Sequence, residues 1–183
     1  MTFPKKVYIV GGPGSGKSTF AQQLATRIDA PVFDLDSVLW KAGGPKSEAE
    51  RQQEMASIDT RGSWIAEGIY SESASYLIER ADLVVWIEVP LLVAVWRVIT
   101  RHVKRSLSGN NQYSGLRRLI RFIWRAVVRY HLGDREAGAP LGTERRRFTR
   151  RYLERFQAKV VGPRSKDVSR WMADVAQSPP PRR

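Results

Sequence analysis

Apolar residues occur in short runs broken by polar, glycine-bearing stretches, and the runs alternate between two periods. KKVYIV (5–10) ends in an unbroken apolar run, as a strand buried on both faces would. FAQQLATRI (20–28) places Phe20, Leu24 and Ile28 on one face of a helix. The succession then repeats. PVFDLD (31–36) predicts a second strand, Lys46 to Ile58 a polar helix after a Gly-Gly-Pro turn, SWIAEG (63–68) a third strand, and Ser71 to Arg80 a helix. ADLVVWIEV (81–89) predicts a fourth strand, and Pro90 opens the next helix. VVG (160–162) predicts a fifth strand before a helix over 165–176, and the tail 177–183 reads as disordered. Strands separated by helices imply an α/β fold, a parallel sheet covered on both faces.

The stretch between the fourth and fifth strands departs from this rhythm. Leu116, Leu119, Ile120, Ile123, Trp124, Val127 and Val128 recur at helical spacing, while Arg118, Arg121, Arg125 and Arg129 form a stripe on another face. A polar joint, HLGDREAGAPLG (131–142), leads to ERRRFTRRYLERF (144–156), a second helix with Thr143 placed as its N-cap. Phe148, Tyr152 and Phe156 line one side of it, and Arg147, Arg151 and Arg155 a neighbouring side. The expected organisation is one domain over 1–176, with a polar helix at 46–60 on the acceptor side and a basic helical lid over 105–158.

The segment between the first strand and its helix carries the chemistry. GGPGSGKST (11–19) satisfies G-x-x-x-x-G-K-[ST] in the strand–loop–helix setting that this pattern requires. Gly12, Pro13, Gly14, Ser15 and Gly16 form a loop whose backbone N–H groups point at a polyphosphate, and the following helix adds a positive end. Lys17 is placed for the β- and γ-phosphates, Ser18 for Mg²⁺, and Thr19 beside them. ATP and Mg²⁺ are therefore the expected ligands.

Composition narrows the setting. The chain of 183 residues has no cysteine, which rules out disulfides and thiolate metal sites. It enters its first strand without a signal-peptide pattern, and Leu83 to Ile99, the most apolar stretch, contains Glu88, Pro90 and Arg97. A cytoplasmic protein without a transmembrane segment is the expectation. The net charge of +13 is uneven: from Arg97 to Arg170 there are 20 basic and 5 acidic residues. Such a field attracts polyanions.

Four motifs in order, GGPGSGKST, FDLDSVLW, SWIAEGIYS and WIEVPLLVAVWRVITR, resemble those of adenylate kinase-like P-loop kinases, most closely the DNA topology modulation proteins. The resemblance runs well over residues 5–105 and faintly over 160–176. It implies a three-layer P-loop NTPase of the nucleotide-kinase type, with a five-stranded parallel sheet ordered 2-3-1-4-5. It also implies that Arg97 and Arg101 contact adenine and the ATP phosphates, and that Glu67 orients Mg²⁺ through water. Adenylate kinases carry acceptor-binding arginines where this chain has Leu39 and Ser71. The second strand instead ends in Asp34-Leu35-Asp36, similar to the D-x-D of shikimate kinase-like enzymes, where an Asp receives the acceptor's hydroxyl proton. Asp36 is the candidate base; the alternative is that one of the two aspartates caps a helix and the other faces solvent.

Two readings follow. One is a kinase transferring the γ-phosphate of ATP to a small hydroxyl, nucleoside or nucleotide acceptor near Asp34, Asp36, Glu67 and Tyr70, with Lys17, Arg97 and Arg101 on the phosphates. The other is a nucleic-acid-binding ATPase whose basic insertion interleaves arginines with Trp124, Tyr130, Phe148 and Tyr152. A third use of helix 116–130, on an anionic membrane, competes with simple packing of its apolar face on the sheet. No N-K-x-D or G-x-S-x-G is present, and His102 and His131 stand alone in the sequence.

Overall fold

In the computed structural model, residues 4–107, 115–134, 139–162, 171 and 173 are described. The sheet is built on β1 (Lys6–Gly11), whose side chains alternate between two cores. Val7 and Ile9 face the side covered by α1 (Lys17–Ile28), against Ala21, Leu24 and Ile28. Tyr8 and Val10 face the other side, with Leu35, Leu77, Ile78 and Leu153. The period-two geometry of a strand thus splits one apolar run into two layers of core.

β2 (Val32–Asp34), β5 (Trp64–Gly68), β6 (Leu83–Ile87) and β7 (Val160–Val161) complete the sheet, all parallel, in the order β2-β5-β1-β6-β7. With the two short strands of a separate hairpin set aside, this is the 2-3-1-4-5 order expected. That hairpin, β3 (Trp40–Lys41) with β4 (Gly44–Pro45), was not expected; it occupies the Gly-Gly-Pro stretch. Every residue of β5 is buried, which is why SWIAEG reads as a continuous run rather than an alternation. Parallel register sets Ile9 beside Glu67 and Asp34 beside Glu67, so three strand ends meet along one edge.

Helices α2 (Leu35–Leu39), α3 (Glu48–Asp59) and α4 (Ser75–Arg80) follow β2, the hairpin and β5. α3 opens on a capping box. Ser47 Oγ accepts from the Glu50 amide, and the Glu50 carboxylate accepts from the Ser47 amide at 2.7 Å. Two boundaries differ from expectation. The second strand stops at Asp34 because its carboxylate caps α2, accepting from the Asp36 amide at 2.9 Å. The helix after the third strand starts at Ser75, because Tyr70, Ser71 and Ala74 are drawn into the core as irregular chain.

α5 (Leu91–Leu107) and the next helix form a hairpin beside the sheet. The second arm is α6 (Leu116–Phe122), a π-helical stretch Ile123–Val128 and α7 (Arg129–Leu132). Its apolar side does not lie on the sheet: Leu119, Ile123 and Val127 pack against Ala94 and Val98 of α5. α8 (Arg146–Leu153) follows, with its N-cap at Arg145 and no side-chain cap. The Thr143 cap expectation is corrected: its hydroxyl donates to the Pro140 carbonyl at 2.5 Å, closing a local turn instead. Phe148 and Leu153 of α8 are buried, and a kink at Phe156 turns the chain into β7. Of the helix expected over 165–176 only residues 171 and 173 are described, both helical; the rest of it and the tail lie outside the described residues.

Leu24 is wholly buried between α1 and the sheet. Leu24→Ala should lower the unfolding free energy by about 2–5 kcal/mol in urea titrations. A loss well under about 1 kcal/mol would mean that α1 does not seal that face.

Candidate active site

The glycine-rich loop sits where β1 ends and α1 begins, at the carboxyl edge of the sheet. Two of its glycines are demanded by their surroundings. Gly14 has φ +79°, and a Cβ there would lie 2.7 Å from the Ala94 carbonyl oxygen of α5. A Cβ on Gly12 would stand 2.3 Å from the ring of Tyr130. The helical hairpin thus seats directly on the loop through backbone-close contacts. Arg97 adds to this: its guanidinium donates to the Ser15 carbonyl at 2.9 Å and the Gly14 carbonyl at 3.3 Å.

The loop opens into a cleft of about 520 Å³ lined by Gly14 to Phe20, Gln23, Arg97, Thr100 and Arg101. Both arginines expected beside a nucleotide therefore border it, one turn apart on α5. Gln23 and Thr100 were not singled out from the sequence, and Phe20 was read only as part of the apolar face of the first helix; their residue types carry no signature of a nucleotide wall.

Behind the loop, Ser18 Oγ donates to Glu67 Oε1 at 2.6 Å, and Lys17 Nζ stands 3.7 Å from Glu67 Oε2. Glu67 closes β5 and is almost completely buried. Burial pushes its carboxyl above the usual range; Lys17 and the Ser18 hydroxyl pull it back, while Asp34 and Asp36 push it up. Its Oε2 accepts no hydrogen bond. Hard oxygen donors on Ser18 and Glu67, with one buried carboxylate oxygen unsatisfied, fit a Mg²⁺ held partly through water. Among the described residues there is no cluster of three or more His, Asp or Glu that would hold a metal by itself.

On the acceptor side, Asp36 lies exposed in the first turn of α2. Its Oδ1 accepts from the Tyr70 hydroxyl at 2.6 Å, and that hydroxyl accepts from Trp40 Nε1 at 2.7 Å. Burial, then the neighbouring Asp36, push the Tyr70 phenol well up, so it stays a donor. Tyr70 is buried, and its backbone carbonyl accepts from the Tyr8 hydroxyl. The Tyr70 hydroxyl therefore holds the Asp36 carboxylate from a buried ring. Asp34 is the capping member of the pair, and both carboxylates are exposed. Leu39 and Ser71 are both fully buried.

Sequence reasoning missed two further contributors. The ring nitrogens of His131 lie 2.8 Å from the Val127 carbonyl and 3.1 Å from the Val89 carbonyl, pinning the hairpin's second arm to the start of its first. Arg146 Nε donates to Glu88 Oε2 at 2.8 Å, tying α8 to the end of β6. The spacing Val127–His131 is the only local hint; the others are long-range. Tyr130 and Phe148, read as stacking platforms for bases, are buried, and Tyr152 packs against the core.

No protein-family model matches the chain. It is 29% identical over 129 residues to a shikimate kinase of Corynebacterium efficiens, covering 62% of this chain and 76% of that protein. It is 27% identical to a shikimate kinase of Rhodococcus jostii, covering 67% of this chain and 84% of that one. Among solved structures, a gluconokinase from Sinorhizobium meliloti 1021 aligns with a TM-score of 0.47 and 16% identity, over 97% of this chain and 94% of that one. The chain is an ATP-dependent phosphotransferase.

Glu67 also makes a prediction about pH. Its folded pKa is raised, so the native state holds the proton more tightly than the unfolded chain. Stability without nucleotide should therefore fall as pH rises from the ordinary carboxylate range through the raised value. Glu67→Gln should flatten this fall in melts between about pH 4 and 7. An unchanged pH profile would mean that Glu67 is not the buried titrating group.

Proposed function

We propose that this phosphotransferase moves the γ-phosphoryl group of ATP to a hydroxyl of a small polar acceptor, with Asp36 as the base. The observation that carries this reading is the placement of Asp36 just after Asp34, which pairs in register with Glu67, so that the Asp36 charge acts on the carboxyl that Lys17 and Ser18 contact. Phosphoryl transfer asks a protein for little beyond positioning and charge, and these residues offer both. The acceptor oxygen attacks the γ-phosphorus while its proton passes to Asp36. The bond from γ-phosphorus to the bridging oxygen breaks, and ADP leaves. Lys17 neutralises charge on the transferring phosphoryl, while Arg97 fixes the loop carbonyls and Arg101 borders the phosphates from the next turn of α5. Ser18 and Glu67 would hold Mg²⁺, which when bound screens the phosphate oxygens.

The likeness to shikimate kinases supports a compact, polyhydroxylated acceptor. So does the burial of Leu39 and Ser71, where nucleotide-accepting kinases carry arginines. The nucleic-acid reading loses its aromatic platforms to the core, Trp124 apart.

The test is ADP release from ATP·Mg²⁺ with a panel of small hydroxy acids, polyols, nucleosides and nucleoside monophosphates, and with single-stranded DNA. One class of small hydroxyl compound should stimulate turnover. Lys17→Ala should abolish it, and Asp36→Asn should lower kcat by about 10²–10⁴ with nucleotide binding retained. Stimulation by DNA alone, or full activity of Asp36→Asn, would overturn the reading.

A further inference from the structure

The helical hairpin turns an apolar face to solvent. Leu92, Trp96 and Leu107 of α5 are 81%, 66% and 84% exposed, and Leu116, Ile120 and Trp124 of the second arm are 70%, 58% and 61% exposed. Spacings of four residues, and of eleven from Trp96 to Leu107, keep each set in one stripe. The two arms run antiparallel: His131 reaches Val89 at the start of α5, and Val127 packs on Ala94 and Val98.

The stripes share a side of this pair. Leu91 and Val95 pack into the seam on one arm, Leu119 and Ile123 on the other. Each is followed by an exposed apolar residue: Leu92, Trp96, Ile120 and Trp124. A step of one residue turns about 100° around a helix. In an antiparallel pair, the same turn from the seam leads to the same side. Arg97 precedes the seam residue Val98 and so lies on the opposite side, with the nucleotide cleft.

Charge identifies the occupant. From Val89 to Gly133 the chain has nine arginines and lysines and no aspartate or glutamate. On the second arm an exposed arginine directly follows each residue of the stripe: Leu116-Arg117, Ile120-Arg121, Trp124-Arg125. A second copy on this face would set like charge against like charge. Nucleic acid would satisfy the arginines and leave the leucines and isoleucine in water. A bilayer with acidic headgroups satisfies both, with hydrocarbon for the stripes, phosphates for the arginines and the interfacial zone for Trp96 and Trp124.

We propose that the outer face of this hairpin binds the surface of an anionic lipid bilayer, leaving the nucleotide cleft facing water. No helix among the described residues is long and apolar enough to cross a membrane, so the contact is with the surface. The proposal is independent of the acceptor.

The experiment is co-sedimentation of the full chain with vesicles of phosphatidylcholine alone, and of phosphatidylcholine mixed with phosphatidylglycerol. Two double variants, Ile120→Glu with Trp124→Glu and Arg117→Glu with Arg121→Glu, run alongside. Circular dichroism and ATP binding should match the parent, since none of these residues touches the cleft. The parent should sediment with the phosphatidylglycerol vesicles only, less as salt rises, and each double variant should partition at least about tenfold more weakly. Failure to bind the mixed vesicles, equal binding to neutral ones, or unweakened binding by either folded variant would overturn the proposal. So would a dimer in sedimentation equilibrium that the Ile120→Glu, Trp124→Glu protein dissolves.

Discussion

A loop that binds polyphosphate through its backbone must be held in one shape, because its amides can converge on an anion only in that shape. Here the constraint is met from above. Tyr130 lies against Gly12, the Ala94 carbonyl against Gly14, and Arg97 grips the carbonyls of Gly14 and Ser15. All three come from the α5 hairpin, so the basic insertion belongs structurally to the loop. His131 locks the hairpin's two arms together, and Glu88 with Arg146 ties the following helix to the same strand end. The loop glycines are thus fixed by their neighbours as well as by their dihedral angles.

Beneath the loop the strain is electrostatic. Glu67 carries a carboxylate into the sheet, where desolvation favours the neutral acid, and two aspartates stand nearby. Lys17 and Ser18 offset part of that cost. A bound cation would offset more, so the site is arranged to gain most from its ligands when they arrive. This is the usual compromise of a phosphate-transfer site, in which charges are kept close for use and are costly at rest.

The layering was legible in the sequence because the central parallel strands are apolar nearly throughout, and three such runs stood apart in β1, β5 and β6. The loop was legible because its chemistry is local: glycines, a lysine and a hydroxyl at fixed spacing. Ends and contacts were less so. Asp34 ended its strand early by capping α2, a competition between side chain and ladder that periodicity does not register. Thr143 looked like a cap and closed a turn instead. Tyr130 and Phe148 read as surface aromatics because arginines surround them in sequence, yet tertiary packing buried both. The support of Asp36 by Tyr70 and Trp40 joins residues 34 and 30 positions apart in pairs, and no local pattern encodes such a relay.

The central claim is that a hydroxyl receives the γ-phosphoryl group beside Asp36. Phosphorus NMR of the protein with ATP, Mg²⁺ and a mixture of small hydroxy compounds tests it most directly. The γ-phosphate resonance should decay as a phosphomonoester resonance grows in step with ADP. Decay into inorganic phosphate alone, whatever hydroxy compound is supplied, would contradict the account and make the chain an ATP hydrolase.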